Sequence, residues 1–173
     1  DSGLQLSVVV TSDPADLMAA SHIVLPGVGA FADCRAGLAA VSGMEAALEK
    51  QVRGNKKPFL GICVGMQLMA DIGREHQVTD GLGWVPGEVV AITPSDASLK
   101  IPHMGWNMVA KERNHPILAN IRESNLAFYF VHSFAMRCRD AGDVVGFAQY
   151  GQPVTAIIAR DNIAATQFHP EKS

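Results

Sequence analysis

Residues 58–69, PFLGICVGMQLM, place one cysteine between two glycines, where a strand pattern gives way to an apolar helix pattern. This spacing of Gly61, Cys63 and Gly65 is typical of a nucleophile elbow, a sharp turn that lifts a reactive side chain above the sheet. The position at a helix N-terminus favours the thiolate, because the helix dipole stabilises negative charge. The alternative is a buried cysteine that packs as a small apolar side chain.

A histidine and a glutamate two residues apart, in TQFHPEK at 166–172, form a second group. Pro170 favours extended backbone at His169, and alternate residues of an extended chain point to the same side. We therefore expect Glu171 to fix the imidazole tautomer while the other ring nitrogen faces the cysteine. A surface turn is the alternative, and His132 is the one histidine that competes as base.

A glycine-framed loop, LPGVGAF at 25–31, follows a buried strand pattern. Backbone amides without bulky neighbours can approach a developing oxyanion. The amides of Val28 and Val64 are the natural pair of donors. An ordinary tight turn and a nucleotide loop are the alternatives, although the pattern is not G-x-G-x-x-G.

The elements that must position these groups alternate between strand and helix in the first half of the chain. Strands are predicted at 6–10, 22–25 and 58–63, and helices at 13–20, 33–40, 44–53 and 64–72. Later strands are predicted at 84–92, 105–110, 126–135, 143–150, 153–160 and 163–168, with a hairpin at 151–153 and one short helix within 114–121. We expect an α/β fold with a mostly parallel central sheet, flanking helices and an additional antiparallel layer in the second half.

Composition limits the function classes. A chain of 173 residues, 48% hydrophobic and 18% charged, suits one domain with a large core. Its net charge of −3 gives no basic surface for nucleic acid, and no 18-residue apolar run predicts a membrane span. Three widely spaced cysteines argue against disulfides and paired metal ligands. We expect a reducing, cytoplasmic location and neither metal nor cofactor.

The three motifs PGVGAF, GICVGMQLM and FHPEKS, in this order, resemble those of the class I (triad) glutamine amidotransferases. Two further stretches, IPHMGWNMV at 101–109 and FYFVHSFA at 128–135, are similar to the glutaminase subunits of imidazole glycerol phosphate synthases within that family. The resemblance covers almost the whole chain and implies the three-layer glutaminase fold. It also implies one domain over 1–173 that lacks a strand and loop at its start and a helix at its end.

The resemblance implies that Cys63 attacks the side-chain amide of glutamine, His169 carries the proton to ammonia and Glu171 orients His169. The resulting thioester is hydrolysed to glutamate. By motif position, the glutamine contacts would be Gly29, Gln67, His132, Ser133 and Phe134. Phe134 stands where tyrosine is common in the family. Gln67 has a second interpretation, in which it only satisfies the elbow.

The resemblance also implies a partner, a separate cyclase subunit with a (β/α)₈ barrel that receives ammonia and makes imidazole glycerol phosphate and AICAR in histidine biosynthesis. Met104 and Trp106, alternate residues of an extended segment, and Lys172 beside the catalytic group are the candidate contacts. A core position for Trp106 is the alternative. Three other functions stay open: a glutaminase serving anthranilate, GMP or CTP synthesis, a cysteine hydrolase of similar fold, and a regulatory or scaffolding relic.

Overall fold

The computed structural model describes residues 7–122 and 126–173. The helices are short: α1 (Asp16–Ala19), α2 (Phe31–Ala40), α3 (Met44–Leu48), which continues as a π-helical segment (Glu49–Gly54), and α4 (Val64–Gln67). Turns of 3₁₀ helix occupy Pro116–Leu118, Ala141–Asp143 and Pro170–Lys172. Within the described ranges, no helix has the length and apolar character needed to cross a membrane.

Eleven strands lie within the described ranges: β1 (Ile23–Gly27), β2 (Phe59–Cys63), β3 (Ile72–Gly73), β4 (Thr79–Asp80), β5 (Gly87–Ala91), β6 (His103–Lys111), β7 (Ala127–His132), β8 (Phe134–Cys138), β9 (Val144–Gln149), β10 (Pro153–Arg160) and β11 (Ile163–Thr166). Seven form one sheet in the order β1-β2-β11-β10-β9-β6-β7, and four form a second sheet in the order β4-β3-β5-β8. The predicted α/β class is confirmed.

The prediction of a mostly parallel sheet is wrong. In the seven-stranded sheet β2 pairs in parallel with β1 and with β11, whereas the β11–β10, β10–β9, β9–β6 and β6–β7 pairs are antiparallel. Short connections join β9 to β10 and β10 to β11, and a tight connection allows only antiparallel pairing. The later strands β6, β7, β9, β10 and β11 therefore extend the large sheet, whereas β5 and β8 form an antiparallel pair in the second sheet. The hairpin predicted at 151–153 joins β9 to β10.

The helix after the cysteine is shorter than the predicted span of 64–72, because α4 ends at Gln67. The backbone carbonyls that would accept the next intrahelical hydrogen bonds instead accept from N–H groups of a neighbouring loop. Leu82 N–H donates to the Leu68 carbonyl at 2.7 Å, and Trp84 N–H donates to the Met69 carbonyl at 2.9 Å. These long-range bonds replace the intrahelical ones, which local sequence cannot reveal.

The strand predicted at 6–10 is not formed over residues 7–10, and its first residue lies outside the described part of the chain. Val8, Val9 and Val10 are all exposed. A β-branched run becomes a strand only where a neighbouring strand supplies its hydrogen bonds and cover.

Two apolar clusters support the parallel and antiparallel parts of the large sheet. One packs α2, α3 and α4 against β1 and β2 and includes Phe31, Val52 and Met66. The other centres on Phe128 of β7 and Phe168, whose rings stack at a centroid distance of 3.9 Å. The second cluster fixes the chain immediately before the histidine at position 169.

Candidate active site

Parallel pairing brings the three motifs to one edge of the sheet. Gly27, at the end of β1, lies beside Cys63 at the end of β2. Thr166, at the end of β11, lies beside Ile62 on the other side of β2. Because parallel strands end at the same edge, the loop after β1, the cysteine and the segment 167–171 emerge together.

Cys63 occupies the predicted elbow. Its φ is +54° and its ψ is −113°, a conformation that non-glycine residues rarely adopt. The flanking glycine on the helix side is required by packing, since a Cβ on Gly65 would lie 1.9 Å from the Leu25 carbonyl oxygen. The turn is therefore held by close backbone contact between β1 and α4.

The thiol of Cys63 is protonated at rest, which differs from the expected thiolate. Burial raises the pKa of Cys63 to about 11, and it outweighs the opposing hydrogen bond from the Val64 N–H. Glu171 also raises this pKa through its charge. A four-residue helix contributes too little dipole to reverse the cost of desolvation. The site therefore needs a base to take the thiol proton during reaction.

The histidine and glutamate form the predicted pair. His169 Nδ1 lies 2.9 Å from Glu171 Oε1, with the imidazole buried and the carboxylate 56% exposed. Although desolvation acts to raise it, the pKa of Glu171 is lowered overall by hydrogen bonds, by His169 and by Lys172. His169 has the extended backbone expected of a residue before proline, with φ −98° and ψ 96°. Residues 170–172 differ from the expected extended form, because they make a 3₁₀ turn that brings the carboxylate back to the ring.

The contact expected between His169 and the cysteine is not a hydrogen bond in the described structure. The sulfur of Cys63 instead accepts from Gln167 Nε2, at 3.7 Å. Apo sites often hold a nucleophile and its base apart until substrate binds. Gln167, fully buried, is a functional candidate that the motifs did not single out.

The two proposed oxyanion donors follow neighbouring strands, since Val28 comes directly after β1 and Val64 directly after β2. The Val64 N–H follows Cys63 directly at the start of α4, and it acts to lower the pKa of the thiol. Val28 lies in the loop after β1, where its carbonyl accepts from Cys34 Sγ at 3.5 Å. Gly29 has a φ of +124°, a value that disfavours every residue except glycine, so the loop conformation depends on it.

Two of the residues predicted to bind glutamine, Gln67 and His132, contact the backbone carbonyl of a third, Phe134. Gln67 Nε2 donates to the Phe134 carbonyl oxygen and to Gln167 Oε1, both at 3.0 Å. His132 Nδ1 lies 2.9 Å from the same Phe134 oxygen. Ser133 is the residue at which the chain leaves β7 and enters β8. Gln67 therefore connects α4 to β8 and to Gln167 in this structure, and its contact with glutamine stays a prediction.

The predicted docking residues share one exposed surface. Met104 and Trp106 are 60% and 61% exposed and lie with Met108 on one face of β6, so a core position for Trp106 is wrong. The Trp106 ring meets that of Tyr129 on β7 at 6.2 Å, and Lys172 Nζ lies 5.5 Å from the Tyr129 ring. We call Met104, Trp106, Met108, Tyr129 and Lys172 the β6–β7 face.

A model of the family described as glutamine amidotransferase class-I matches residues 2–173. The chain belongs to the class I glutamine amidotransferases. The resemblance read from the sequence motifs is confirmed, and this is a family of glutamine-hydrolysing enzymes.

Named relatives narrow the likeness within the family. The imidazole glycerol phosphate synthase subunit HisH of Rhodopseudomonas palustris is 53% identical over 168 residues, which are 96% of this chain and 78% of the relative. The subunit of the same name from Rhizobium meliloti is also 53% identical and matches 100% of this chain and 81% of the relative. The resemblance of two sequence stretches to this subfamily is therefore confirmed over the full length.

Solved structures show the same fold. A glutamine amidotransferase crystal structure superposes with a TM-score of 0.67 at 18% identity, over 93% of this chain and 76% of the other. The glutaminase domain of Trypanosoma brucei CTPS, with bound acivicin, gives 0.62 at 19% identity, over 91% and 66%. At these identities the likeness concerns fold alone.

Proposed function

We propose that this chain is the glutaminase subunit of an imidazole glycerol phosphate synthase, hydrolysing L-glutamine to glutamate and passing ammonia to a cyclase. The observation that carries the proposal is the meeting of the Cys63 elbow and the His169–Glu171 pair at one edge of the sheet. The full-length relatives named for this subunit favour it over glutaminases that serve other pathways. We also infer the three-layer arrangement of glutaminases.

The proposed reaction begins with removal of the Cys63 proton by His169. The sulfur attacks the glutamine amide carbon, and the Val28 and Val64 amides stabilise the resulting oxyanion. His169 then protonates the leaving nitrogen, ammonia departs, and a thioester remains. Water, activated by the same imidazole, releases glutamate and restores the thiol. Glu171 holds His169 in one tautomer and stabilises its cationic form.

The glutamine would lie between the loop after β1 and the corner at Ser133. Gly29 and the backbone of Ser133 and Phe134 supply its polar contacts, and Gln67 and His132 hold that corner in place. A phenylalanine at 134 leaves only backbone contacts at this position. The three cysteines are free, which agrees with a reducing compartment, and we place the enzyme in the cytoplasm.

The direct test measures glutamate release from L-glutamine by the chain together with its cyclase. Cys63→Ala is expected to lower the rate by at least about 10⁴-fold, as losing a triad nucleophile does. Cys138→Ala is the matched control and should keep the rate. Near-normal release by Cys63→Ala would overturn the proposal, and cleavage of peptides or esters instead of glutamine would favour a cysteine hydrolase.

For the partner, we propose a cyclase with a (β/α)₈ barrel that docks on the β6–β7 face. This face connects to the base, because His169 N–H donates to the Tyr129 carbonyl at 3.0 Å and Tyr129 N–H donates to Ser173 Oγ at 3.0 Å. Exposed Trp and Met side chains on one face are typical of interface anchors. A partner bound at Trp106 would therefore also affect β7, whose Tyr129 contacts the Trp106 ring and accepts a hydrogen bond from the His169 N–H.

The test is Trp106→Ala, measured for unfolding free energy, cyclase affinity and cyclase-stimulated glutaminase rate. Since Trp106 is exposed, stability should change by no more than about 0.5 kcal/mol. Affinity should weaken by about 2 kcal/mol, the usual cost of losing an anchor. Met18→Ala, an exposed apolar change in α1, is the control. Unchanged affinity in Trp106→Ala would remove this face from the interface.

A further inference from the structure

Behind the β6–β7 face, two buried imidazoles and the half-buried Asn107 form a hydrogen-bonded chain that takes no part in the proposed chemical steps. Asn107 Nδ2 lies 3.1 Å from His103 Nε2, and His103 Nδ1 lies 3.0 Å from His132 Nε2. His132 Nδ1 in turn lies 2.9 Å from the Phe134 carbonyl oxygen. The two imidazoles are buried, with 2% and 6% of their surface exposed. The chain runs from β6 to the corner between β7 and β8.

The end of this chain at Phe134 fixes the direction of its hydrogen bonds. A carbonyl oxygen only accepts, so His132 Nδ1 carries the proton. The Nε2 of a neutral His132 then accepts, and His103 Nδ1 must donate to it. The Nε2 of a neutral His103 is left as an acceptor, facing Asn107.

The end of the chain at Asn107 fixes the same direction independently. Its Oδ1 accepts from the Met108 N–H at 2.8 Å, and its Nδ2 donates to the Gln149 carbonyl at 2.9 Å. These contacts assign the amide, and the second Nδ2 hydrogen is therefore directed at His103 Nε2. A proton on that nitrogen would face another donor. The contacts at Phe134 and at Asn107 therefore lead to the same assignment, in which both imidazoles are neutral and carry their proton on Nδ1.

Packing holds the central imidazole in this orientation. The His103 ring stacks between Phe130, at a centroid distance of 4.7 Å, and Tyr150, at 4.1 Å. Burial lowers the pKa of His103 to about 4, and burial lowers the pKa of His132 to a similar value. Neutral rings are what the hydrogen-bond directions require.

We propose that Asn107 and His103 are positioning residues of the glutamine site, which hold His132 as the Nδ1–H tautomer and thereby hold the Phe134 carbonyl and the Ser133 corner. The inference rests on the proposed function, in which that corner binds glutamine. Gln67, in the helix after Cys63, donates to the same carbonyl, so the Phe134 oxygen accepts two hydrogen bonds, one from His132 and one from Gln67. A corner with one donor removed would bind glutamine less firmly while leaving the nucleophile and base intact.

The first experiment records the tautomers by ¹⁵N NMR of histidine-labelled protein at pH 7. The wild-type chain should show protons on Nδ1 of both His103 and His132. Asn107→Asp replaces the donor with an acceptor of the same shape and should place a proton on His103 Nε2. Asn114→Asp, an exposed change of equal charge, should leave both rings as in the wild type. A wild-type proton on His132 Nε2, or no change in Asn107→Asp, would overturn the inference.

The second experiment uses His103→Phe, which keeps a ring in the stack and removes the donor to His132. The KM for glutamine should rise about tenfold, the effect of one hydrogen bond, with kcat changed less than about threefold. An unchanged KM would overturn the inference, and if this variant does not fold, the NMR result on Asn107→Asp decides. Absence of glutaminase activity in the wild-type complex would instead overturn the proposed function, whatever the tautomers are.

Discussion

A single methyl group at position 65 should disrupt the elbow more than any comparable change nearby. A Cβ on Gly65 would lie 1.9 Å from the Leu25 carbonyl oxygen. An ordinary carbon–oxygen contact is about 3.3 Å, so β1 and α4 would have to separate by roughly 1.4 Å. β1 cannot move alone, because Gly27 is paired with Cys63 on β2. The strain therefore reaches the nucleophile itself.

Overpacking of this kind costs about 1–3 kcal/mol and occasionally more. Since both contacting atoms belong to the backbone, we expect Gly65→Ala to lose about 3 kcal/mol of unfolding free energy. For a chain of this size the melting temperature should fall by about 6–12 °C. Cyclase-stimulated glutaminase activity should fall as well, because Cys63 is displaced.

The assay is urea unfolding followed by circular dichroism, with Gly37→Ala as the matched control. Gly37 is exposed in α2, and a Cβ there would meet nothing within 4 Å. That change should stabilise the chain by about 0.5–1 kcal/mol, because it restricts the unfolded state and suits a helix. A Gly65→Ala protein within about 0.5 kcal/mol of wild type would refute the close contact between β1 and α4.

Three further results are expected. The loss of glutamate release in Glu171→Gln should be smaller than that in Cys63→Ala or His169→Ala by about two orders of magnitude, since the carboxylate only orients the base; equal losses in folded proteins would give Glu171 a more direct role. Alkylation of Cys63, followed by peptide mass spectrometry, should still accelerate about tenfold per pH unit up to pH 9, because its pKa is about 11; a plateau below pH 9 would contradict this. His103 and His132, with pKa values lowered to about 4, should stay neutral at pH 5, and their contribution to stability should be complete above pH 6.5 and decline from there towards pH 4; ¹⁵N shifts at pH 6 that show protons on both nitrogens of either ring would rule this out.

The sequence predicts the turn at Cys63 and the His169–Glu171 contact well, because each depends on residues close together in the chain. The elbow needs two glycines around Cys63, and the proton-transfer pair needs a glutamate two residues after His169. Both features can be recognised from short sequence motifs. The 3₁₀ turn that joins His169 to Glu171 is a small departure from the extended form, and it leaves the contact unchanged.

The interactions that local sequence misses are long-range. Gln167 reaches Cys63 and Gln67 only because β11 pairs with β2, and no motif marks that glutamine. His103 meets His132 because β6 and β7 are antiparallel with these residues opposite each other. The antiparallel direction of β9, β10 and β11 follows from the short connections between them. The alternation of strands and helices in the first half of the chain does not predict it.

Labelling with an electrophilic glutamine analogue, 6-diazo-5-oxo-L-norleucine, is the most direct test of whether Cys63 is the nucleophile of a glutamine site. The chain with its cyclase is treated with the analogue, digested, and examined by mass spectrometry for the modified residue. We expect modification of Cys63 alone, prevented by excess L-glutamine and not by D-glutamine, and lost in His169→Ala. Modification of Cys34 or Cys138 instead, or no protection by L-glutamine, would contradict it.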